Sequence, residues 1–225
     1  MALILSIETT TTNCSVSLSK EGETLHLKED YNTNYSHAEQ LHVFIENVLK
    51  ESKIERSQLD AIAVSKGPGS YTGLRIGVSA AKGLCFALNI PLISISTLEA
   101  LANQVNVNNG VVVSMIDARR MEVYSAIFSS SFESKREIKA QILDENSFLD
   151  YLNTQKVYFI GNGVEKTKAL IQHKNAVFIE GKLPSAEQMS ILAYNKYKKN
   201  DIEDVAYFEP YYLKDFVALK PKPKK

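Results

Sequence analysis

One order of secondary-structure patterns occurs twice along this chain. Near the start, Leu3 to Ile7 and Cys14 to Leu18 are predicted to form a β-hairpin, because polar turn formers separate two short apolar stretches. A third strand follows, and then helical patterns that alternate with buried strands. After a polar break at Asn106 to Gly110, Val111 to Ile116 begins a second series of the same kind. Mixed sheets flanked by helices bury both faces, so the pattern predicts an α/β fold of two lobes with a cleft between them.

The polar break gives the expected domain boundaries. Residues 1–105 are predicted to form an N-terminal lobe that carries the partner-binding helices, and residues 106–213 a C-terminal lobe. The last long helix, at 185–198, is a candidate to pack back on the first lobe. Residues 214–225 end in a run of Lys and Pro, a composition typical of a flexible basic tail.

The charge of the chain argues against RNA binding without a partner. Lys plus Arg and Asp plus Glu number 26 each, so the net charge is zero, and no basic stripe runs through the predicted lobes. The N-terminus lacks the features of a signal peptide, and no apolar run reaches the length of a membrane span, so we expect a cytoplasmic protein without membrane contact. Cys14 and Cys85 lie in apolar surroundings and are expected to be buried free thiols.

The most specific stretch is Ser65-Lys-Gly-Pro-Gly-Ser-Tyr-Thr-Gly-Leu-Arg-Ile-Gly77, in which Gly67 to Gly73 is predicted to be a loop between a buried strand and a helix. Its glycines, Gly67, Gly69 and Gly73, match neither the spacing of a Walker loop nor that of the dinucleotide fingerprint. Two interpretations are equally open. The glycines either permit a tight turn and close packing, or they let backbone N–H groups approach an anion.

The helix after this loop is apolar around most of its circumference. On a helical wheel, Leu74, Val78, Ala81 and Cys85 belong to one apolar face. An adjoining arc consists of Ile76, Ala80, Gly83 and Ala87. Small residues there would let another helix approach closely, and the same arc would allow a homodimer when no other partner is present. The helix is therefore either enclosed by its own chain or covers a partner.

Five motifs lie in order along nearly the whole chain. They are Glu8-Thr-Thr, Ser36-His-x-Glu39, Lys66-Gly-Pro-Gly-Ser-Tyr-Thr-Gly-Leu-Arg-Ile-Gly77, Asp117-Ala-Arg-Arg and Pro210-Tyr-Tyr-Leu213. Together they resemble the TsaB family of bacterial tRNA N6-threonylcarbamoyladenosine biosynthesis proteins. The resemblance implies two actin-like (ribonuclease H-like) lobes and a non-catalytic subunit that forms a heterodimer with a TsaD-like transferase. It also implies a TsaE-like ATPase as a further partner, and support for threonylcarbamoyl transfer to adenosine 37 of ANN-decoding tRNAs.

The same resemblance assigns roles to residues. The first two long helices are expected to form the heterodimer interface, through Leu41, Phe44, Ile45, Val48, Gly73, Ile76, Gly77, Ala80, Gly83 and Ala87. A vestigial nucleotide site or cleft is expected at Glu8, Thr9, Gly67, Gly69, Asp117 and Arg120. No catalytic residue, metal ligand or tightly bound cofactor is expected. ATP is expected to be used by partner proteins, and tRNA to be bound indirectly through the complex.

Histidine spacing and turn composition argue against chemistry in this chain. His37 and His42 are separated by five positions on a helix, so their rings point about 140° apart and cannot share one metal ion. The first hairpin turn has no glycine, and the side chains of Asp117 to Arg120 would crowd a phosphate. An independent glycoprotease-like hydrolase or a nucleotide-binding, kinase-like protein is the alternative. Direct tRNA binding by Lys220 to Lys225 is a third hypothesis.

Overall fold

The computed structural model describes residues 1–31 and 36–214. Its strands are β1 (Leu3–Glu8), β2 (Cys14–Lys20), β3 (Glu23–Asp30), β4 (Ala61–Gly67), β5 (Leu92–Ser96), β6 (Val111–Asp117), β7 (Glu122–Ser129), β8 (Ser134–Ile142), β9 (Val157–Ile160) and β10 (Ala176–Ile179). Its α-helices are α1 (His37–Ser52), α2 (Tyr71–Leu88), α3 (Thr97–Ala102), α4 (Leu149–Leu152), α5 (Val164–Leu170) and α6 (Ala186–Lys198), and Arg56–Gln58 form a single 3-10 turn. The expected basic tail lies outside the described residues, except for Lys214.

In the described part of the chain, the strands form two five-stranded sheets of the same topology. The first has the order β3-β2-β1-β4-β5 and the second, in the matching direction, β8-β7-β6-β9-β10. In each sheet, three consecutive strands pair antiparallel, and two later strands add in parallel beside the first. The prediction of an α/β fold with two actin-like lobes, each a mixed sheet flanked by helices, is confirmed.

Helices cover both faces of the first sheet. Alternate residues of a strand point to opposite faces, and in β1 Leu5 and Ile7 pack beneath α1 and α2, whereas Ile4 packs on the other side. There it meets Met189 and Ala193 of α6. Helix α6 therefore belongs to the second half of the sequence but packs on the first sheet.

Helix α3 lies between the lobes. Its Leu98 and Leu101 are fully buried and pack with Val112 of β6 and Ile160 of β9, which belong to the second sheet. The opposite face of the second sheet packs on α4 and α5, where Phe159 is fully buried. The two lobes are thus joined through a shared apolar layer, and no helix of the described ranges has both the length and the apolarity that a membrane span requires.

The loop before α2 is shorter than expected. Strand β4 continues to Gly67, and α2 begins at Tyr71, so Gly73 lies inside the helix and not before it. The hydroxyl oxygen of Ser70 accepts a hydrogen bond from the backbone N–H of Gly73 at 3.3 Å, which caps the helix start. Glycine is a poor helix former, so helix propensity does not predict that Gly73 lies in the first turn of α2.

Candidate functional site

Helix α2 has a buried inner face and an exposed outer face. Leu74, Val78 and Cys85 are at most 4% exposed and belong to the core of the first lobe. The outer face of α2 consists of the exposed residues Ser79, Gly83 and Ala87 and the half-buried residues Ile76 and Ala80, none of which is charged, and the exposed Arg75 lies at its border. A Cβ atom added at Gly83 would meet no other atom within 4 Å. Part of the apolar circumference is therefore enclosed by its own lobe, and part of it is open.

Helices α1 and α2 each carry an exposed large apolar side chain. Phe86 of α2 is 86% exposed and Val43 of α1 is 48% exposed. Neither was among the residues that the sequence pattern assigned to an interface. Lys82 lies at the border of the outer face, but its ammonium group donates to the carbonyl oxygens of Ala206 and Phe208 at 3.1 and 2.9 Å. The C-terminal segment, which is the chain after α6 (residues 199–214), therefore holds this charge beside the outer face.

The expected interface residues of α1 need correction. Leu41, Ile45 and Val48 are 0–3% exposed and pack in the core of their own lobe, so their side chains are closed to a partner. Phe44 is half-buried at the edge of that core. The apolar stripe of α1 is the inner face of an ordinary amphipathic helix, and Val43 is a large apolar residue exposed on its outer side.

The helical glycines near the start of α2 also face inward. A Cβ atom at Gly73 would lie 2.0 Å from the carbonyl oxygen of Thr9, and one at Gly77 would lie 2.3 Å from the Thr9 hydroxyl oxygen. A Cβ atom at Gly69 would lie 2.5 Å from the Cβ atom of Thr10. These glycines let α2 pack against the turn between β1 and β2. Of the two interpretations left open for this loop, the structure supports close packing, and Gly73 and Gly77 are not surface residues.

A cleft of about 480 Å³ separates the lobes at the N-terminal end of α2. This interlobe cleft is lined by Thr10, Gly69, Ser70 and Tyr71 of the first lobe, by Asp117, Arg119 and Asn162 of the second, and by Tyr211, Tyr212 and Lys214 of the C-terminal segment. Two of the residues expected at a vestigial site, Gly69 and Asp117, therefore lie in its wall. Tyr211 and Tyr212 belong to the Pro210-Tyr-Tyr-Leu213 motif, to which the sequence assigned no place in a cleft.

The acidic residue of the first hairpin turn does not reach the cleft. Glu8 is fully buried, and burial raises its pKa although Thr10 donates hydrogen bonds to its carboxyl group. Thr9 is 1% exposed, and its hydroxyl donates to the carbonyl oxygen of Gly73 at 2.8 Å. The expectation that Glu8 and Asp117 share one cleft is wrong, because Glu8 and Thr9 are enclosed between the turn and α2.

In the second lobe, an ammonium group occupies the corresponding turn. Lys166 of α5 donates to Asp117 Oδ1 at 2.6 Å and to the carbonyl oxygens of Arg120 and Glu122 at 3.0 and 2.5 Å. Carboxylate and carbonyl oxygens are the ligands that hard cations prefer in proteins. The chain thus supplies the positive charge at this turn from its own side chain. No signal in the sequence distinguishes Lys166 from the other lysines of its helix.

His37, Cys14 and Cys85 are buried. His37 is buried, burial lowers its pKa, and its Nε2–H donates to the carbonyl oxygen of Thr11 at 2.7 Å, whereas His42 is exposed. Burial raises the pKa of the Cys14 and Cys85 thiols to about 12, so both are unreactive at neutral pH. Among residues 1–31 and 36–214, no cluster of His, Cys, Asp or Glu has the arrangement of a metal site.

The C-terminal segment closes one side of the cleft. The backbone N–H of Tyr211 donates to the carbonyl oxygen of Lys66 at 2.7 Å, and Lys214 pairs with Glu122 of the second lobe. Gly67 has a φ of +109°, and a Cβ atom there would lie 2.8 Å from the Tyr211 carbonyl oxygen. Glycine is thus required at this position by both backbone conformation and space, and it permits the segment to cross the end of β4.

Comparisons with known proteins agree with this architecture. A family model described as TsaD, tRNA N6-adenosine threonylcarbamoyltransferase, matches residues 32–222. The tRNA threonylcarbamoyladenosine biosynthesis protein TsaB of Haemophilus influenzae is 30% identical to the chain, and the match covers 98% of the chain and 97% of that protein. The TsaB protein of Escherichia coli is also 30% identical, and the match covers 99% of the chain and 99% of that protein. A crystal structure of a protein similar to the peptidase YeaZ, from Pseudomonas aeruginosa, has a TM-score of 0.82 and 28% identity, with 95% of this chain and 100% of that chain covered. The chain therefore belongs to the TsaB family of tRNA threonylcarbamoyladenosine biosynthesis proteins, within the wider family that the TsaD model describes.

Proposed function

We propose that this chain is a non-catalytic subunit of the assembly that synthesises N6-threonylcarbamoyladenosine in tRNA. It binds a TsaD-like transferase through the outer face of α2 and the adjoining surface of α1. In doing so it activates threonylcarbamoyl transfer to adenosine 37 of ANN-decoding tRNAs. ATP is used by the partner proteins, which include a TsaE-like ATPase, and most of the tRNA is held by those partners. The observation that carries the proposal is the open, uncharged outer face of α2.

An uncharged helix face and exposed large apolar side chains are unfavourable in water. Apolar area is exposed at Phe86 on α2 and at Val43 on α1. The backbone of a second helix can approach α2 closely, because the residues there are small: Ala80, Gly83 and Ala87. Specific protein interfaces bury about 1,600 Å² in total. An α2 of 18 residues is about 27 Å long, which suits an interface of that size when α1 contributes its outer side.

The identity of the partner is supported by shared architecture. The TsaD family model matches residues 32–222, a range that includes α1 and α2. Related subunits pair most simply through equivalent faces about a two-fold or pseudo-two-fold axis. The same argument gives a homodimer when the transferase is absent, because a second copy offers the same face. The homodimer and the heterodimer then compete for the outer face of α2.

The two hairpin turns favour a role without chemistry. In sugar kinases and related enzymes these turns hold metal ions and phosphates, which requires open carboxylates. Here Glu8 is buried beneath α2, and Asp117 is paired with Lys166 at 2.6 Å. Neither carboxyl group is placed to receive a solvated metal ion without rearrangement.

The test replaces Gly83 with Arg and measures binding to the TsaD-like transferase of the same organism by calorimetry and co-purification. Gly83 is exposed and a side chain there meets no atom, so Gly83→Arg should fold normally but place a charge in the interface. We expect affinity to fall at least about 100-fold, since an uncompensated buried charge costs several kcal/mol. Ala169→Arg on α5 is the matched control, because Ala169 is also exposed but lies on the second lobe, and it should bind like the wild type. Wild-type affinity in Gly83→Arg would show that this face is not the interface.

Activity assays separate the proposal from its alternative. Threonylcarbamoylation of tRNA should require the transferase and increase when this chain is added, and Gly83→Arg should remove the increase. The isolated chain should bind neither ATP at micromolar concentration nor a stoichiometric metal ion. Tight ATP or metal binding by the isolated chain would favour an independent kinase-like protein or hydrolase instead.

A further inference from the structure

A second cavity, of about 390 Å³, lies between the lobes, and Tyr211 lines both this cavity and the interlobe cleft. The first lobe contributes Lys66, near the end of β4, and Glu99 of α3 to its wall. The second lobe contributes Phe128 of β7 and Ile138 of β8, so we call it the α3–β8 cavity. None of the described residues of α1 or α2 lines it, and it is therefore separate from the proposed partner-binding face.

Two opposite charges line this cavity without pairing. Lys66 and Glu99 are half-buried, and among residues 1–31 and 36–214 neither side chain forms an ion pair or a hydrogen bond. Burial raises the pKa of Glu99, and the positive charges of Lys196 and Lys66 oppose this rise. Lys196 is itself paired with Asp201 at 3.1 Å. The ammonium group and the carboxyl group at the cavity therefore keep hydrogen-bonding capacity for a ligand.

The second lobe supplies the apolar part of the wall, through Ala126, Phe128, Phe132 and Ile138. Phe132 lies in the turn between β7 and β8 and has a φ of +63°, a left-handed conformation that a bulky residue rarely adopts. It is nevertheless half-buried and lines the cavity. Backbone strain at a surface turn whose side chain lines a cavity points to a use for that side chain.

The other charged residues of the wall are engaged or solvated. The guanidinium group of Arg136 donates to the Ser125 hydroxyl oxygen at 2.6 Å and to Gln141 Oε1 at 2.9 Å. Glu137 is exposed and keeps its contact with water. The half-buried lysine and glutamate of the first lobe are therefore the charged groups that select a ligand.

We propose that the α3–β8 cavity binds a free α-amino acid with an apolar side chain, such as leucine. The ammonium group of Lys66 donates to the ligand carboxylate, and the Glu99 carboxylate accepts from the ligand ammonium group. The ligand side chain contacts Phe128, Phe132 and Ile138. A ligand with only one charged group would leave the other charge of the cavity without a partner. The volume is near the lower end of the range of about 300–1,000 Å³ for ligand sites, which suits a small ligand.

The probe is L-leucine, titrated into the full-length chain at neutral pH and followed by isothermal titration calorimetry. Three comparison ligands each lack one of its groups: 4-methylpentanoate lacks the ammonium group, 3-methylbutylamine lacks the carboxylate, and glycine lacks the apolar side chain. We expect a dissociation constant of about 0.1–1 mM for leucine, as for a good ligand of so few atoms. Each comparison ligand should bind at least about tenfold more weakly, because it loses a charge-assisted hydrogen bond or the apolar contact.

Two variants test the charged contacts through ligand selectivity. Glu99→Gln keeps the size of the side chain but removes its charge, and it should bind leucine and 4-methylpentanoate with equal affinity. Lys66→Met keeps the apolar stem but removes the ammonium group, and it should bind leucine and 3-methylbutylamine with equal affinity. A purely structural effect of either substitution would weaken leucine and its analogues alike and leave their ratio unchanged.

A third variant tests the strained ring. Asparagine adopts a left-handed backbone more readily than phenylalanine does, so the urea midpoint of Phe132→Asn should equal or exceed that of the wild type. Its affinity for leucine should nevertheless fall about fivefold, because apolar contact with the ligand side chain is lost. A lower urea midpoint together with unchanged leucine affinity would show that the ring serves the fold and not a ligand.

The matched control is Glu165→Gln on α5, where the glutamate is exposed and lies outside the cavity wall, and it should bind all four ligands like the wild type. Absence of leucine binding at millimolar concentration would overturn the proposal. So would equal affinities of the wild type for leucine and its two single-charge analogues, or unchanged selectivity in Glu99→Gln and Lys66→Met. Gly83→Arg should bind leucine like the wild type, so the ligand and partner proposals are judged separately.

Discussion

Glu8 is a carboxyl group that the fold removes from water. It is fully buried in the turn between β1 and β2, and desolvation raises its pKa above the ordinary value of 4.5, so the folded state favours the protonated form. In the unfolded chain the same group ionises freely. Its contribution to stability is therefore fully present below pH 4.5 and is lost as the pH rises toward and through the folded-state pKa.

The substitution Glu8→Gln should remove this pH dependence. At pH 8 we expect the variant to be more stable than the wild type by about 1–2 kcal/mol, because it no longer carries a buried group that tends to ionise. At pH 4.5 the difference should be small. Urea unfolding at both pH values measures it, with the exposed Glu23→Gln as the control. A Glu8→Gln variant that loses stability equally at both pH values would contradict this account.

Lys166 should contribute more to the free energy of unfolding than Lys168, whose ion pair is more exposed. Lys166→Met leaves the Asp117 carboxylate and two carbonyl oxygens without their donor, and we expect a loss of about 2–3 kcal/mol, as for hydrogen bonds to charged groups. Lys168 pairs with Glu180 at the surface, and Lys168→Met should cost less than about 1 kcal/mol. Equal unfolding midpoints for the two variants would show that the ammonium group does not stabilise the turn.

At the scale of elements, α2 uses glycine in two different ways. Gly73 and Gly77 are buried, and they bring the helix against Thr9. Gly83 lies on the outer face of α2, where an added Cβ atom would meet no atom outside its own helical turn within 4 Å. All three were expected at the partner interface, and the packing of the turn against α2 distinguishes Gly73 and Gly77 from Gly83.

Alanine substitutions should separate these two uses. Gly73→Ala would place a Cβ atom 2.0 Å from the Thr9 carbonyl oxygen, and we expect it to destabilise the isolated chain by about 1–3 kcal/mol. Gly83→Ala should stabilise the isolated chain by about 0.5–1 kcal/mol, because alanine is the better helix former and the space is open. Chemical denaturation of both variants checks the sign. A stabilising Gly73→Ala would mean that the turn does not contact α2 as described.

At the scale of the whole molecule, the C-terminal segment ties the lobes together. The backbone N–H of Glu203 donates to the carbonyl oxygen of Leu92 at 2.8 Å. The ammonium group of Lys82 donates to the carbonyl oxygens of Ala206 and Phe208, and Lys214 pairs with Glu122 of the second lobe. The segment has little regular structure, so single side chains hold much of it in place. Two such side chains come from α2, namely Lys82 and Tyr71, whose ring lies 5.0 Å from that of Tyr212.

Loss of Lys82 should loosen this segment. In Lys82→Met, we expect amide hydrogen exchange at Phe208 and Tyr211 to increase about tenfold, since local opening then breaks fewer charged hydrogen bonds. Exchange in the buried strand β1 should stay as in the wild type. Lys50→Met, at an exposed position of α1, is the control. Unchanged exchange at Phe208 would show that the segment is held without Lys82.

Much of the fold could be predicted from the sequence, because strand and helix periodicities are local. The repeated order of elements, the break near Asn106 and the two apolar arcs of α2 all follow from which residues are neighbours along the chain. The vestigial site was predicted less well. Glu8 looked like a cleft residue, but it lies beneath α2, and the Lys166 ammonium group at Asp117 was missed.

By itself, then, the sequence determined which residues share a face, since that depends only on the geometry of a helix or a strand. The tertiary structure decided which face is covered. Leu41 of α1 and Leu74 of α2 lie under their own lobe, whereas Gly83 and Ala87 of α2 remain on the outside. The physical reason is that burial depends on what packs against an element, and those neighbours come from distant parts of the chain.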